Sequence, residues 1–82
     1  MKFEDKGYEA YGQGNLQLAL EEWTVEADAG NPFAQFSLGM MYENGTGIPQ
    51  NLPKAIELYQ SSAAQGVTHA RHNLAWLFIR GD

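Results

Sequence analysis

The sequence of 82 residues contains no cysteine. That excludes a disulfide staple, a thiolate metal site and a cysteine nucleophile. Positive charge is scarce: five Lys and Arg stand against ten Asp and Glu, for a net charge of −5. Nucleic acids and anionic membrane surfaces are bound by clustered positive charge, so neither is expected as a partner. Residues that favour strands are few, with Val occurring twice and Ile three times. No segment alternates apolar and polar residues over a useful length. The longest apolar run, Leu74 to Ile79, is six residues, against about 20 for a membrane span. Charged Lys2, Glu4, Asp5 and Lys6 occupy the place where a secretory signal needs its apolar stretch, so a cytoplasmic location is expected.

What the sequence has instead is helix formers punctuated by turn residues. A first helix is expected from Lys2 to Gly12, stopped by Gly12-Gln13-Gly14-Asn15. Asn15 can cap a second helix, from Leu16 to Ala29, with Leu16, Ala19, Leu20, Trp23 and Ala27 on one face. Gly30 suits the left-handed position after it. Asn31-Pro32 opens a third helix, which ends near Glu43 and carries Ala34, Leu38, Met41 and Tyr42 on its stripe. Asn44 to Asn51 is too rich in Gly and Pro to be helical and reads as a folded loop, with Ile48 tucked inward. A fourth helix follows from Leu52 to Gln65. Thr68 is expected to cap a fifth, from His69 to Arg80. The fold class is therefore all-α.

The chain repeats itself. A shift of 36 residues places Asn15 on Asn51, Ala19 on Ala55, Trp23 on Tyr59, Ala27 on Ala63 and Gly30 on Gly66. The same shift places Ala34 on Ala70, Leu38 on Leu74, Met41 on Leu77 and Tyr42 on Phe78. Upstream, Gly7 meets Gly39 at a shift of 32, so the second inter-helix loop is four residues longer than the first. Small, aromatic and glycine positions agree in class. That is the pattern of stacked helical hairpins, where no hairpin buries its apolar face alone. Trp23, Tyr42, Tyr59 and Phe78 are expected in the core. The period divides the chain into a first hairpin (2–29), a full repeat (31–66) and the first helix of a further, incomplete repeat (67–82).

The residues Ala34, Leu38-Gly39-Met40-Met41-Tyr42, Gly45-Thr46-Gly47-Ile48, Lys54-Ala55, Tyr59 and Ala63-Ala64-Gln65-Gly66, with Ala70 and Leu74, resemble the Sel-one-like repeats, relatives of the tetratricopeptide repeats. The first hairpin, with its short Gly14-Asn15 turn, is closer to a tetratricopeptide hairpin. The resemblance implies a right-handed α-α superhelix of five helices. It also implies an adaptor or scaffold that binds a protein or peptide on its concave face, where the first helix of each hairpin lies. Carried onto this chain, that geometry stacks Tyr8, Met40 and Trp76 along the groove, with Phe36 and His72 in a neighbouring row and Glu4 beside them.

Catalytic chemistry is not expected. Ser37, Ser61 and Ser62 have no base beside them in sequence. Gly45-Thr46-Gly47 follows a helix rather than a strand, and no Lys-Ser or Lys-Thr follows it, so it is no phosphate loop. His69 and His72 share a helix face but lack a third ligand nearby, so neither a metal nor another cofactor is expected. Glu21, Glu22, Glu26 and Asp28 form an acidic face that would be solvated or steer a basic partner. The fifth helix is apolar on nearly every side. Its Leu74, Leu77, Phe78 and Ile79 are the candidates for self-association as a homodimer, the alternative to groove binding.

Overall fold

The computed structural model describes residues 5–80, which form five helices and, among the described residues, no strand. These are α1 (Lys6–Gly12), α2 (Leu16–Asp28), α3 (Pro32–Asn44), α4 (Leu52–Ala64) and α5 (Thr68–Arg80). The portion of the first helix expected before Asp5, together with Glu4, lies outside the described residues. Each helix packs on the next in chain order, so α1–α2 and α3–α4 are successive hairpins and α5 lies against α4.

Side-chain caps start four of the helices. Asp5 Oδ1 accepts from the Tyr8 N–H at 2.8 Å, Asn15 Oδ1 from Leu18 at 3.1 Å, and Asn51 Oδ1 from Lys54 at 3.1 Å. Asn31 Oδ1 accepts from both Phe33 and Ala34. Pro32 and Pro53 sit in first turns, where a missing N–H leaves no helical bond unmade. The fifth helix corrects the sequence reading. Thr68 is its first helical residue rather than its cap, because the Val67 carbonyl accepts from the Arg71 N–H at 3.2 Å. Val67 holds the place that Asn31 holds before α3, but with an aliphatic side chain packed into the core.

Equivalent turns follow α2 and α4. Gly30 and Gly66 both have φ of 96°, a left-handed conformation that glycine adopts without a Cβ penalty. The next residue then reaches back to the last turn: the Asn31 N–H donates to Glu26 O, and the Val67 N–H to Ser62 O. The longer loop after α3 is folded onto the first hairpin. Ile48 packs against the core between the hairpins, and Gly47 approaches Leu16 so closely that a Cβ would lie 3.0 Å from the Leu16 Cβ.

The core runs the length of the molecule in two clusters. Trp23, Ala19, Ala27, Ala34, Leu38 and Met41 join the hairpins, and Ala55, Tyr59, Ala70 and Leu77 join α4 to α5. Tyr42 is half-buried and packs against both. Two glycines set the spacing within hairpins. The Trp23 ring lies over Gly7 and the Tyr59 ring over Gly39, where an added Cβ would come within 2.7 Å of the ring. Buried polar groups are paired across helices. Ser62 Oγ donates to the Pro32 carbonyl at 2.7 Å, and Gln35 Nε2 donates to the Ala27 carbonyl at the end of α2. Gln65 Nε2 donates in turn to Gln35 Oε1.

Phe78 departs from its expected place. Its repeat equivalent Tyr42 is held between the two clusters, but Phe78 is 60 % exposed, since no described helix follows α5 to cover it. Leu77, expected at a self-association surface, is buried against α4 within the chain.

Candidate functional site

Residues of α1 and α3, the first helices of the two hairpins, line a common groove of about 260 Å³. Tyr8 and Tyr11 project from α1, Phe36 and Met40 from α3, and Trp23 of α2 forms the floor. Ser37, Asn44 and Thr46 add polar groups toward the α3 side and its loop. Tyr8 is 71 % exposed and Met40 38 %, whereas Trp23 is nearly covered. The Tyr11 and Trp23 rings meet at 5.7 Å with a 33° tilt.

Trp23 is fixed from both sides. One face lies on Gly7, and its indole N–H donates to Asp5 Oδ1 at 2.8 Å, the same oxygen that caps α1. The cap, the floor and the neighbouring Tyr8 are thereby held as one unit. A rigid aromatic floor flanked by exposed rings and a thioether suits an apolar or amphipathic segment of a partner.

Among the described residues, none of α4 or α5 lines the groove. The Phe36 ring packs at a tilt against Tyr59, with centroids 5.9 Å apart, and against His69, at 6.1 Å, bridging α3, α4 and α5. Beneath it the Tyr59 hydroxyl donates to Glu43 Oε1 at 2.7 Å and accepts from Asn73 Nδ2 at 3.3 Å. Burial, and then the hydrogen bond to the Glu43 carboxylate, push the Tyr59 phenol well above the ordinary tyrosine range, partly opposed by Asn73. Arg80 reaches the other Glu43 oxygen at 4.0 Å, which ties the end of α5 to α3.

Of the five residues expected along the groove, Tyr8, Phe36 and Met40 line one continuous surface. Trp76 and His72 do not line it; both are exposed on α5, and the histidine beside Phe36 is His69. Sequence reading did not single out Tyr11, Asn44, Thr46 or the floor role of Trp23. For Tyr11 a signal was present: at a shift of 32 it falls on Glu43, so its position is not one of the shared packing sites. Of the acidic face, Glu21 and Asp28 are exposed, while Glu22 and Glu26 are half-buried. Among the described residues no three His, Cys, Asp or Glu side chains gather to hold a metal ion, and no helix is long and apolar enough to cross a membrane.

Residues 32–67, covering α3, the glycine-rich loop, α4 and the turn after it, match the family model of the Sel1 repeat. Residues 32–67 are a Sel1 repeat. Sel1 repeats are helical, tetratricopeptide-like units that generally mediate protein interactions without catalysis. The chain is similar to the "DAP3-binding cell death enhancer 1" of Rattus norvegicus, with 39 % identity over 62 residues, 76 % of this chain and 12 % of that protein. It is also similar to the "Exopolysaccharide production negative regulator" of Rhizobium leguminosarum bv. viciae, with 33 % identity over 61 residues, 74 % of this chain and 23 % of the regulator. The "Chitin synthase regulatory factor 3" of Schizosaccharomyces pombe shares 24 % identity over 67 residues, 82 % of this chain and 7 % of that factor. The chain thus spans between about a tenth and a quarter of the length of the first two relatives.

Proposed function

We propose that this chain is a protein-interaction module that seats a peptide or protein segment in the groove between α1 and α3. The observation that carries this reading is the exposed apolar pair Tyr8 and Met40, set on opposite helices above a Trp23 floor. The names of two relatives, one DAP3-binding and one a negative regulator, accord with a binding rather than a catalytic task. In the repeat register Tyr8 and Met40 are equivalent positions, so one scaffold site is used twice to line one surface. The test selects peptides from a random display library on the full chain and measures their affinity for variants. Tyr8→Ala with Met40→Ala should weaken the selected peptides at least about tenfold, as truncated interface anchors do. Val25→Ser, on an exposed site of α2 away from the groove, should leave them unchanged. Peptides that bind the double variant as tightly as the parent chain would remove the groove as the binding site.

A second reading rests on α5. Trp76, Phe78 and Ile79 are 56 %, 60 % and 76 % exposed, a concentration of apolar side chains on one short helix. Exposed apolar patches of this kind mark association surfaces. Here the chain would pair with a second copy through Phe78 and Ile79, with half-buried Leu74 at the margin. Light scattering across a concentration series decides it: a mass that stays monomeric at the highest concentration rules the dimer out.

A further inference from the structure

The groove is aromatic, yet among the described residues no charged side chain lines it, and it belongs to a chain of net charge −5. Resting on the groove reading above, we infer that its preferred occupant is a basic side chain of the partner segment, arginine above all, held against the faces of Tyr8 and Tyr11.

Three observations converge on that chemistry. Aromatic faces carry negative potential and attract a cation placed within about 6 Å of the ring centroid. Tyr8, Tyr11, Phe36 and Trp23 surround a single groove of about 260 Å³, and the two tyrosines are exposed at its mouth. The indole of Trp23 donates its N–H to the Asp5 carboxylate at 2.8 Å. An anion on the ring edge adds electron density to the ring and leaves a negative charge behind the floor. None of the described Lys or Arg side chains lines the groove. Lys54 pairs with Glu57, Arg80 with Glu43, and Lys6 lines a separate depression with Glu9 and Glu22.

Arginine fits better than lysine. Its guanidinium is planar, weakly hydrated and able to stack flat on an aromatic ring while its edge donates hydrogen bonds. Ser37, Asn44 and Thr46 supply side-chain oxygens along the same groove. The apolar stem of the arginine would then run past the Met40 thioether.

The test titrates the ¹⁵N-labelled full chain with N-acetyl-arginine amide, its neutral isostere N-acetyl-citrulline amide, and N-acetyl-leucine amide. The reporters are the Trp23 indole and the Met40 amide. The Trp76 indole on α5 serves as an internal reference for unspecific stacking. The arginine probe should move the groove resonances with a Kd about two- to fivefold below that of citrulline. Tyr8→Leu, which keeps bulk but removes the aromatic face, should abolish that advantage while leaving Tm unchanged. Equal binding of arginine and citrulline, or tighter binding of leucine, overturns the basic occupant and leaves the groove reading standing. Shifts confined to Trp76, or no groove shift with any probe, overturn both.

Discussion

Replacing Gly39 by alanine sets two opposed effects against each other. Gly39 lies in the interior of α3, where alanine is normally favoured by about 1 kcal/mol because glycine loses more backbone entropy on folding. In this fold the added Cβ would lie 2.7 Å from Cε1 and 2.9 Å from Cδ1 of Tyr59. Carbon atoms in contact prefer about 3.5–4.0 Å, so the ring must retreat by about 1 Å. Tyr59 has no room to do so cheaply. It is fully buried, its hydroxyl is held by Glu43 and Asn73, and the Phe36 ring packs against it at a tilt. Overpacking of this kind costs about 1–3 kcal/mol, and each weakened hydrogen bond adds about 1 kcal/mol. After the propensity gain is subtracted, the expected net loss is about 1–4 kcal/mol, a fall in Tm of about 4–30 °C for a chain of this size. Gly12, the last residue of α1, is the control: nothing lies within 4 Å of the Cβ it would gain. Gly12→Ala should therefore raise stability by about 0.4–1 kcal/mol. The assay is chemical and thermal denaturation of both variants followed by far-ultraviolet circular dichroism. A Gly39→Ala chain as stable as Gly12→Ala would refute the claim that ring-on-glycine contact fixes the hairpin spacing.

Further expectations follow from individual side chains. Because the folded chain holds Tyr59 protonated above the ordinary tyrosine range, unfolding releases a proton once pH exceeds about 10. Stability should be independent of this group below pH 10 and then fall by up to about 1.4 kcal/mol per pH unit, and Tyr59→Phe should remove that slope in alkaline denaturation series. Asn51→Ala deletes the cap that accepts from the Lys54 N–H and should cost about 0.5–2 kcal/mol in urea titrations. On α5, Leu77→Ala should cost about 2–5 kcal/mol, while Phe78→Ser with Ile79→Ser should change dilute-solution stability by about 0.5 kcal/mol or less. Equal costs would mean that α5 docks with a different face.

Most of the scaffold was legible because its determinants are local. Asn15, Asn31 and Asn51 are caps whose chemistry is visible in sequence, and Gly30 and Gly66 mark turns that end helices at matching points. Gly7 and Gly39 match at a shift of 32 and Trp23 and Tyr59 at a shift of 36, so the equivalences were legible, whereas the seating of each ring on its glycine emerges only from the packed helices. Three further things were not legible. Thr68 has the side chain of a cap, but the backbone geometry after Gly66 assigns the capping position to Val67. Phe78 has the class of a core residue, but burial depends on a neighbouring helix rather than on residue type. Tyr11 and Thr46 reach the groove from separate elements that meet only in three dimensions, so no local pattern joins them.

The two hairpins show why the groove opens where it does. Each places one large aromatic of its second helix over a glycine of its first, and each gives that aromatic a carboxylate partner. The partners sit at opposite ends of the first helix: Trp23 bonds Asp5, the cap before α1, whereas Tyr59 bonds Glu43, near the end of α3. Glu43 therefore lies between α3 and α5, where Arg80 also reaches it and Asn73 closes on the Tyr59 hydroxyl. Polar bonds and the Phe36 ring occupy that side. In the first hairpin the position matching Glu43 is Tyr11, which bonds no carboxylate among the described side-chain pairs and instead stands 43 % exposed beside Trp23. The same scaffold site is thus a structural clasp in one hairpin and groove wall in the other. A Tyr11→Glu variant, which copies the clasp into the first hairpin, should retain the helical fold. It should also lose affinity for groove-selected peptides, because the aromatic wall is replaced by a solvated carboxylate.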